Sequence, residues 1–323
     1  MSIQNAKDAR KSTYNILSID GGGLRGIIPL AVLNNLTKHN PDFLENIDMF
    51  AGTSTGGLIT LGLAGGLLPH EILALYIHHG PQVFERSLWY EIKSLDEAIG
   101  PKYDSINRET LCRSVLQELR LKDFLNHGGQ KGHVLITAFD LDDKVQFESN
   151  LRRWKAKIFH NLPTTDHSDD GDEIAYRVAM RTTASPTYFP SYDGFADGGI
   201  FANNPSMCAI AQTQDSRLAI KIPMSSIRML SLGTGYCPSF INGEERWGLT
   251  QWAPKLADIL ADGINEIADF QAKQILGAKH YHRLTIQLSQ HIAMDDVSKI
   301  AELERIGNAI DITSAAAFID QWK

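Results

Sequence analysis

Cysteine is scarce in this chain. Its three cysteines, Cys112, Cys208 and Cys237, show no CxxC spacing, which excludes a full disulfide framework and fits a reducing compartment. A basic excess is also missing: 31 Lys and Arg stand against 38 Asp and Glu, a net charge of −7. That balance argues against nonspecific nucleic-acid binding, because no cationic surplus exists to displace phosphate counterions. Long apolar runs are absent too. The most apolar stretch, LITLGLAGGLL at 58–68, falls far short of the ~20 residues that a membrane span needs. The opening MSIQNAKDARKST carries no apolar core of a signal peptide, so an ordinary secretory signal is not expected. The predicted location is cytoplasmic or peripheral at a membrane surface, with signal-independent secretion left open. The acidic stretch TTDHSDDGDE at 164–173 lacks the ordered ligand spacing of a calcium loop and reads as a solvated surface loop. The short basic run LRRWKAK at 151–157 reads as the edge of an element, with contact to an anionic lipid surface as the alternative.

What is present is an ordinary globular composition, 43% hydrophobic and 21% charged. No repeat and no low-complexity linker divides the 323 residues, so one domain over 1–323 is the simpler expectation. Buried strands are predicted at 14–19, 47–51, 133–139, 227–232 and 280–287. Helical periodicity lies between them at 27–39, 55–66, 69–79, 107–119, 173–182, 204–214, 251–276 and 297–310. Strands alternating with helices imply a mostly parallel sheet covered on both faces. The segment KVQFES at 144–149 is expected to pair antiparallel with 133–139.

Three consecutive glycines, Gly21 to Gly23, stand where the first strand ends and a helical pattern begins. Glycine loses more backbone freedom on folding than any other residue, so a run of it needs a reason. Gly21, Gly23 and Gly26 satisfy GxGxxG, yet 34–46 reads NNLTKHNPDFLEN where a dinucleotide site wants a second buried strand. A glycine-rich tight turn explains one or two of the positions. The remaining reading is a nest of backbone N–H groups at a helix start, which in an acyl-transfer enzyme is an oxyanion hole.

An oxyanion hole requires a nucleophile. Gly52-Thr53-Ser54-Thr55-Gly56 places a GxSxG pattern at the next strand-to-helix junction. A serine hydroxyl needs a base. His280, His282 and His291 lie late enough to complete a Ser-Asp-His triad, although HYHRL alternates as a strand with solvent-facing histidines. The other candidate is Asp197, followed by two glycines and flanked by Phe195, Ile200 and Phe201. Apolar surroundings raise a carboxylate's pKa, and a shift from about 3.9 toward 7 costs roughly 4 kcal/mol. The competing account of Asp197-Gly198 is a simple turn.

Taken together, DGGGLRG at 20–26, GTSTGG at 52–57 and DGG at 197–199 resemble the patatin-like phospholipase family. The likeness extends through ILSIDGGGLRGIIP, GTSTGGLIT, GPKYD, TTASPTYFP, DGGIFANNP, LSLGTG and AMDDVS, from about residue 14 to 310. The resemblance implies a three-layer α/β/α sandwich with a mostly parallel central sheet. It implies a lipid acyl hydrolase, of phospholipase A or lysophospholipase type, that needs no metal and no cofactor. Ser54 takes the family's nucleophile position and Asp197 its partner in a Ser-Asp dyad without histidine. Gly21, Gly22, Gly23, Leu24, Arg25 and Gly26 take the oxyanion-hole segment, with Gly52 and Gly56 flanking the nucleophile elbow. DGG stands here where other members carry DGA, with the aspartate kept. The implied partners are a phospholipid or other acyl-lipid substrate and, transiently, a membrane surface. A lipid acyltransferase on the same dyad and a non-catalytic storage or binding protein remain the alternatives. Residues 65–90 offer apolar and aromatic side chains either for a lipid-facing lid or for ordinary core packing.

Overall fold

The first strand shows why the sheet must be covered twice. Along Tyr14–Ile19 (β1) successive side chains point to opposite faces, and five of the six residues are buried. Leu17 and Ile19 enter one core, whereas Ile16 enters another. Such a run is the mark of a parallel strand with helices on both sides. The computed structural model of the protein describes residues 13–85, 100–125, 132–143, 152–238, 240 and 248–322. In chain order its further strands are β2 (Met49–Thr53), β3 (His133–Asp140), β4 (Lys155–His160), β5 (Phe195–Asp197), β6 (Ile227–Leu232) and β7 (Tyr281–Leu284). They form a seven-stranded sheet in the order β4-β3-β2-β1-β6-β7, with β5 on β3. β4 and β5 run antiparallel to β3, and the remaining pairs are parallel.

One face carries the larger core. The helices α1 (Ile27–His39), α2 (Thr55–Ala64), α3 (Pro69–Val83), α4 (Ile106–Leu116) and α5 (Ala175–Thr182) contribute to it. The four-residue α6 (Gly199–Ala202) follows β5 after Gly198, and α7 (Ser206–Thr213) and the long α8 (Leu249–Leu276) cover the opposite face. The helices α9 (Ile300–Asn308) and α10 (Thr313–Ile319) return to the larger core through Leu303, Phe318 and Ile319. The result is the three-layer α/β/α sandwich expected from the alternation. α2 is buried at nine of its ten positions, so its TGGLITLGLA sequence is apolar all round rather than striped. Among the described residues no helix is long and apolar enough to cross a membrane.

Several boundaries move. The second strand lies at 49–53, shifted toward Ser54, and the last shrinks to 281–284. Lys155–His160 pairs antiparallel with β3, so the LRRWKAK run feeds a strand; 144–149 lies outside the described residues. β5, α6 and α10 had no counterpart in the sequence reading. The acidic loop at 164–173 is tied down by ion pairs from Asp170 to Lys157 and from Asp172 to Lys122.

The chain winds from β1 outward through β2 and β3, then restarts on the other side at β6. Crevices at such a reversal, beyond the carboxyl ends of the strands, are where open α/β sheets bind ligands. Here those ends carry the glycine run after β1, Ser54 after β2 and Gly233-Thr234 after β6.

Candidate active site

Ser54 sits between β2 and α2 with φ 52° and ψ −121°, a region that non-glycine residues seldom occupy. Its neighbours make that turn sharp. A Cβ on Gly56 would run into the carbonyl oxygen of Ile19, and one on Gly52 into that of Gly56. Bare backbone at both positions lets α2 leave β2 across the end of β1. The Ser54 N–H donates to Thr182 Oγ1 at 2.8 Å, which fixes the turn from α5. The amide ends of α2 face the serine, so the positive end of the helix dipole lies under the reacting position.

The Ser54 hydroxyl donates to Asp197 Oδ2 at 2.5 Å. Asp197 ends β5, and its backbone N–H donates to the Ala184 carbonyl at 3.0 Å. Its second carboxylate oxygen accepts from Gly199 N–H at 2.7 Å. Asp197 is only 4% exposed. Burial raises its pKa from 3.8 to about 6, opposed by the hydrogen bonds from Ser54 and Gly199 and by the charge of Arg108. A carboxylate titrating near 6 beside a serine hydroxyl is poised to accept a proton near neutral pH.

The glycine run lies beside this pair. Gly21 is anchored: its N–H donates to Asn203 O, and its carbonyl accepts from Thr234 Oγ1 at 2.7 Å. Leu24 N–H donates to Met294 O at 2.7 Å and Arg25 N–H to Gly22 O at 3.1 Å. The amides of Gly22 and Gly23 donate to no protein acceptor among the described residues. Within the expected segment Gly21 to Gly26, the amides of Gly21, Leu24 and Arg25 are engaged, and those of Gly22 and Gly23 stand open toward the site. Gly23 has φ +59°, and a side chain there would strike Met294 O.

Every stretch that carried the resemblance converges here. Lys102 and Tyr103 of GPKYD bind Asp295 of AMDDVS, the Tyr103 hydroxyl at 2.8 Å. Thr182 of TTASPTYFP holds Ser54, and Asn203 of DGGIFANNP and Thr234 of LSLGTG hold Gly21. Among the described residues no hydrogen bond joins His280, His282 or His291 to Ser54 or Asp197. His282 contacts Ser314 Oγ and stacks on Phe318, and burial lowers its pKa.

An apolar cavity opens over Ser54, walled by side chains such as Leu24, Leu58, Leu75, Val83, Phe84 and Phe189. Leu75, Val83 and Phe84 come from the 65–90 stretch, while Ile72 and Leu73 of α3 are buried in the core. That stretch therefore serves as cavity wall and as core. Residues 86–90 lie outside the described residues. The sequence reading missed Arg108, Thr182 and Asn203. Arg108 sits in INRETLCRSVL, a pattern that reads as a solvated helix face.

A strand-turn-helix serine paired with a buried aspartate, beside open glycine amides under an apolar cavity, defines an α/β protein with a nucleophile-elbow site. A model of the family described as patatin-like phospholipase matches residues 17–210. The chain belongs to the patatin-like phospholipase family. It is 32% identical over 227 residues to Patatin-like protein 2 of Oryza sativa subsp. indica, covering 61% of this chain and 52% of that protein. It is 28% identical over 242 residues to the putative sporulation hydrolase CotR of Bacillus subtilis, covering 73% and 68%. It is 26% identical over 303 residues to a cGAMP-activated phospholipase of Pseudomonas aeruginosa, covering 91% and 83%. The chain thus spans about half the length of the rice relative.

Proposed function

We propose that the protein is a lipid acyl hydrolase, a serine esterase of phospholipase A or lysophospholipase type. The observation that carries this reading is the 2.5 Å hydrogen bond from Ser54 Oγ to Asp197 Oδ2 at the base of an apolar cavity. Ser54 Oγ attacks the ester carbonyl carbon, and its proton passes to Asp197. The carbonyl oxygen takes up negative charge opposite the amides of Gly22 and Gly23, whose loss would cost on the order of 3 kcal/mol per donor in the chemical step. Collapse of the tetrahedral intermediate breaks the ester C–O bond, and the proton held by Asp197 goes to the departing alcohol or lysolipid. Water, deprotonated by Asp197, then attacks the acyl-Ser54 ester; the fatty acid leaves and Ser54 regains its proton. The nucleophile, the base and the amide donors in that sequence all belong to this chain. A relative named as a phospholipase supports the substrate class, and one named as a putative hydrolase the reaction type.

The test is hydrolysis of a nitrophenyl ester and a labelled phospholipid with chelator present, comparing wild type, Ser54→Ala and Asp197→Asn. Both variants, folded by circular dichroism, should fall by at least about 10³-fold. His280→Ala, His282→Ala and His291→Ala should each stay within about twofold. Survival of activity in Asp197→Asn moves the base elsewhere, and collapse at one histidine restores a triad. Product analysis with an alcohol acceptor separates hydrolysis from acyl transfer.

A further inference from the structure

The same cavity contains a cation with no carboxylate of its own. Arg108 on α4 lines the space above Ser54 and is 3% exposed. Its guanidinium carries five N–H donors. One terminal nitrogen donates to the carbonyl of Thr183, and the other to Ser105 Oγ at 3.1 Å. Nε is buried and has no partner. One face of the group rests on the Phe189 ring, 4.1 Å from its centroid. Among the described residues no Asp or Glu forms an ion pair with Arg108, whereas the buried Arg283 has a bidentate carboxylate. Burial pulls the Arg108 pKa down to about 10, opposed by charge interactions with Cys112, Asp197, Tyr192 and Glu109, none of which forms an ion pair with it among the described residues.

A buried charge is costly unless it is paired, and removing the partner of a buried pair is among the more destabilising changes a protein suffers. Packing alone would be served by Leu or Met at this position. Unpaired charge in a cleft beside a reactive serine is where a ligand's charge is met. The walls of the cavity accept acyl chains, and an ester carbonyl brings no formal charge. In a glycerophospholipid the formal negative charge close to the ester bonds is the phosphodiester, and guanidinium is the side chain whose fork fits phosphate oxygens.

We propose that Arg108 is the binding residue for the substrate's phosphodiester, so that the site selects phospholipids over neutral acylglycerols. This rests on the hydrolase reading above and names the substrate class of that same site. The lipid would seat its acyl chain between α3 and α4, its ester carbonyl at Ser54 and its phosphate at the unpartnered Nε of Arg108.

The test compares kcat/KM for a phosphatidylcholine and a diacylglycerol with identical acyl chains, both in the same neutral detergent micelles. Arg108→Met should lower the phospholipid-to-diacylglycerol ratio at least tenfold, mainly through KM, and Arg108→Lys should restore part of it. Inorganic phosphate should compete weakly with phospholipid in wild type and less in Arg108→Met, which separates headgroup recognition from a site for free phosphate. An unchanged ratio overturns the proposal. So does an equal loss on both substrates with a shifted pH profile, which would make Arg108 only a countercharge for Asp197. Lost inhibition by free fatty acid at an unchanged ratio would assign Arg108 to the product carboxylate and overturn it as well. If Arg108→Met fails to fold, Arg108→Gln, which also removes the charge, carries the same ratio test. Wild type inert toward both lipids would fail the hydrolase reading instead.

Discussion

The Ser54 hydroxyl reaches Asp197 across 2.5 Å while the Ser54 backbone is held at φ 52°. The two facts are linked: the sharp turn that exposes the side chain also aims it at β5. Backbone held in such a region costs on the order of 1–3 kcal/mol. Glycine removes the steric part of that cost because it has no Cβ. Ser54→Gly and Ser54→Ala should therefore both lack ester hydrolysis, yet differ in stability. In urea unfolding the Gly variant is expected to be the more stable by about 1 kcal/mol, against the usual ranking of the two residues. An Ala variant equal to or more stable than Gly would remove strain from the account of the elbow.

Asp197 connects catalysis to pH in two opposite ways. Burial raises its pKa to about 6, and only the carboxylate accepts a proton. kcat/KM should therefore rise with pH through about 6 and level off above it. Stability runs the other way, because the folded state binds this proton more tightly than the unfolded chain. Between about pH 4 and 6 stability falls as pH rises, and above that range the carboxylate costs roughly 3 kcal/mol. Asp197→Asn removes the cost while an amide can still accept from Gly199 and donate to Ser54. The variant should unfold at higher urea than wild type at neutral pH, with the gap closing below about pH 4. A gap that is flat with pH would mean that the buried carboxylate is not the source.

Much of this arrangement was legible in the sequence, for a physical reason. β1 announces itself because both faces are buried, and the elbow because close approach of backbone leaves no room for a side chain at Gly52 and Gly56. What escaped is what tertiary packing decides. β5 has three residues, too few for any periodicity, and pairs only because β3 extends past β2 to Asp140. Arg108 reads as a polar helix position and becomes buried because Phe189 and the Thr183 carbonyl close over it. Thr182 is one hydroxyl among many until α5 brings it to the Ser54 amide. The extent of the open oxyanion donors was also hidden, since it depends on which amides Asn203 and Met294 already occupy.

Glycines in this chain divide by what surrounds them. A Cβ at Gly56 would collide with the backbone of Ile19, the last residue of β1, and of Asp20 just after it. Gly263 lies in α8 with nothing within 4 Å of a built Cβ. Gly56→Ala should abolish soluble, folded protein or destabilise it by more than about 3 kcal/mol. Gly263→Ala should stabilise by about 0.5–1 kcal/mol, because alanine favours the helix and restricts the unfolded chain. Paired thermal melts decide the matter, and a tolerated Gly56→Ala would refute the close-approach account of the elbow.

Asp20 and Arg283 form the support beneath the glycine run. Asp20 is 1% exposed, directly precedes Gly21, and donates its N–H to Leu232 O at 3.0 Å. Arg283 on β7 holds both its carboxylate oxygens, at 2.9 and 2.5 Å, and reaches Ser231 Oγ at 2.7 Å. Burial raises the Asp20 pKa and the nearby Asp269 charge adds to the rise, while the Arg283 charge and hydrogen bonds oppose it. Removing the guanidinium would strand a buried carboxylate at the point where β1 turns into the Gly22 and Gly23 amides. Arg283→Met should cost about 3–5 kcal/mol. The double variant Asp20→Asn/Arg283→Met should recover part of that loss, because the orphaned charge is gone. If the pair also positions the amides, Arg283→Lys, folded at low temperature, should lower kcat more than it raises KM. A change confined to KM would place the pair in stability alone, and additive losses in the double variant would show that the two residues do not act as a unit.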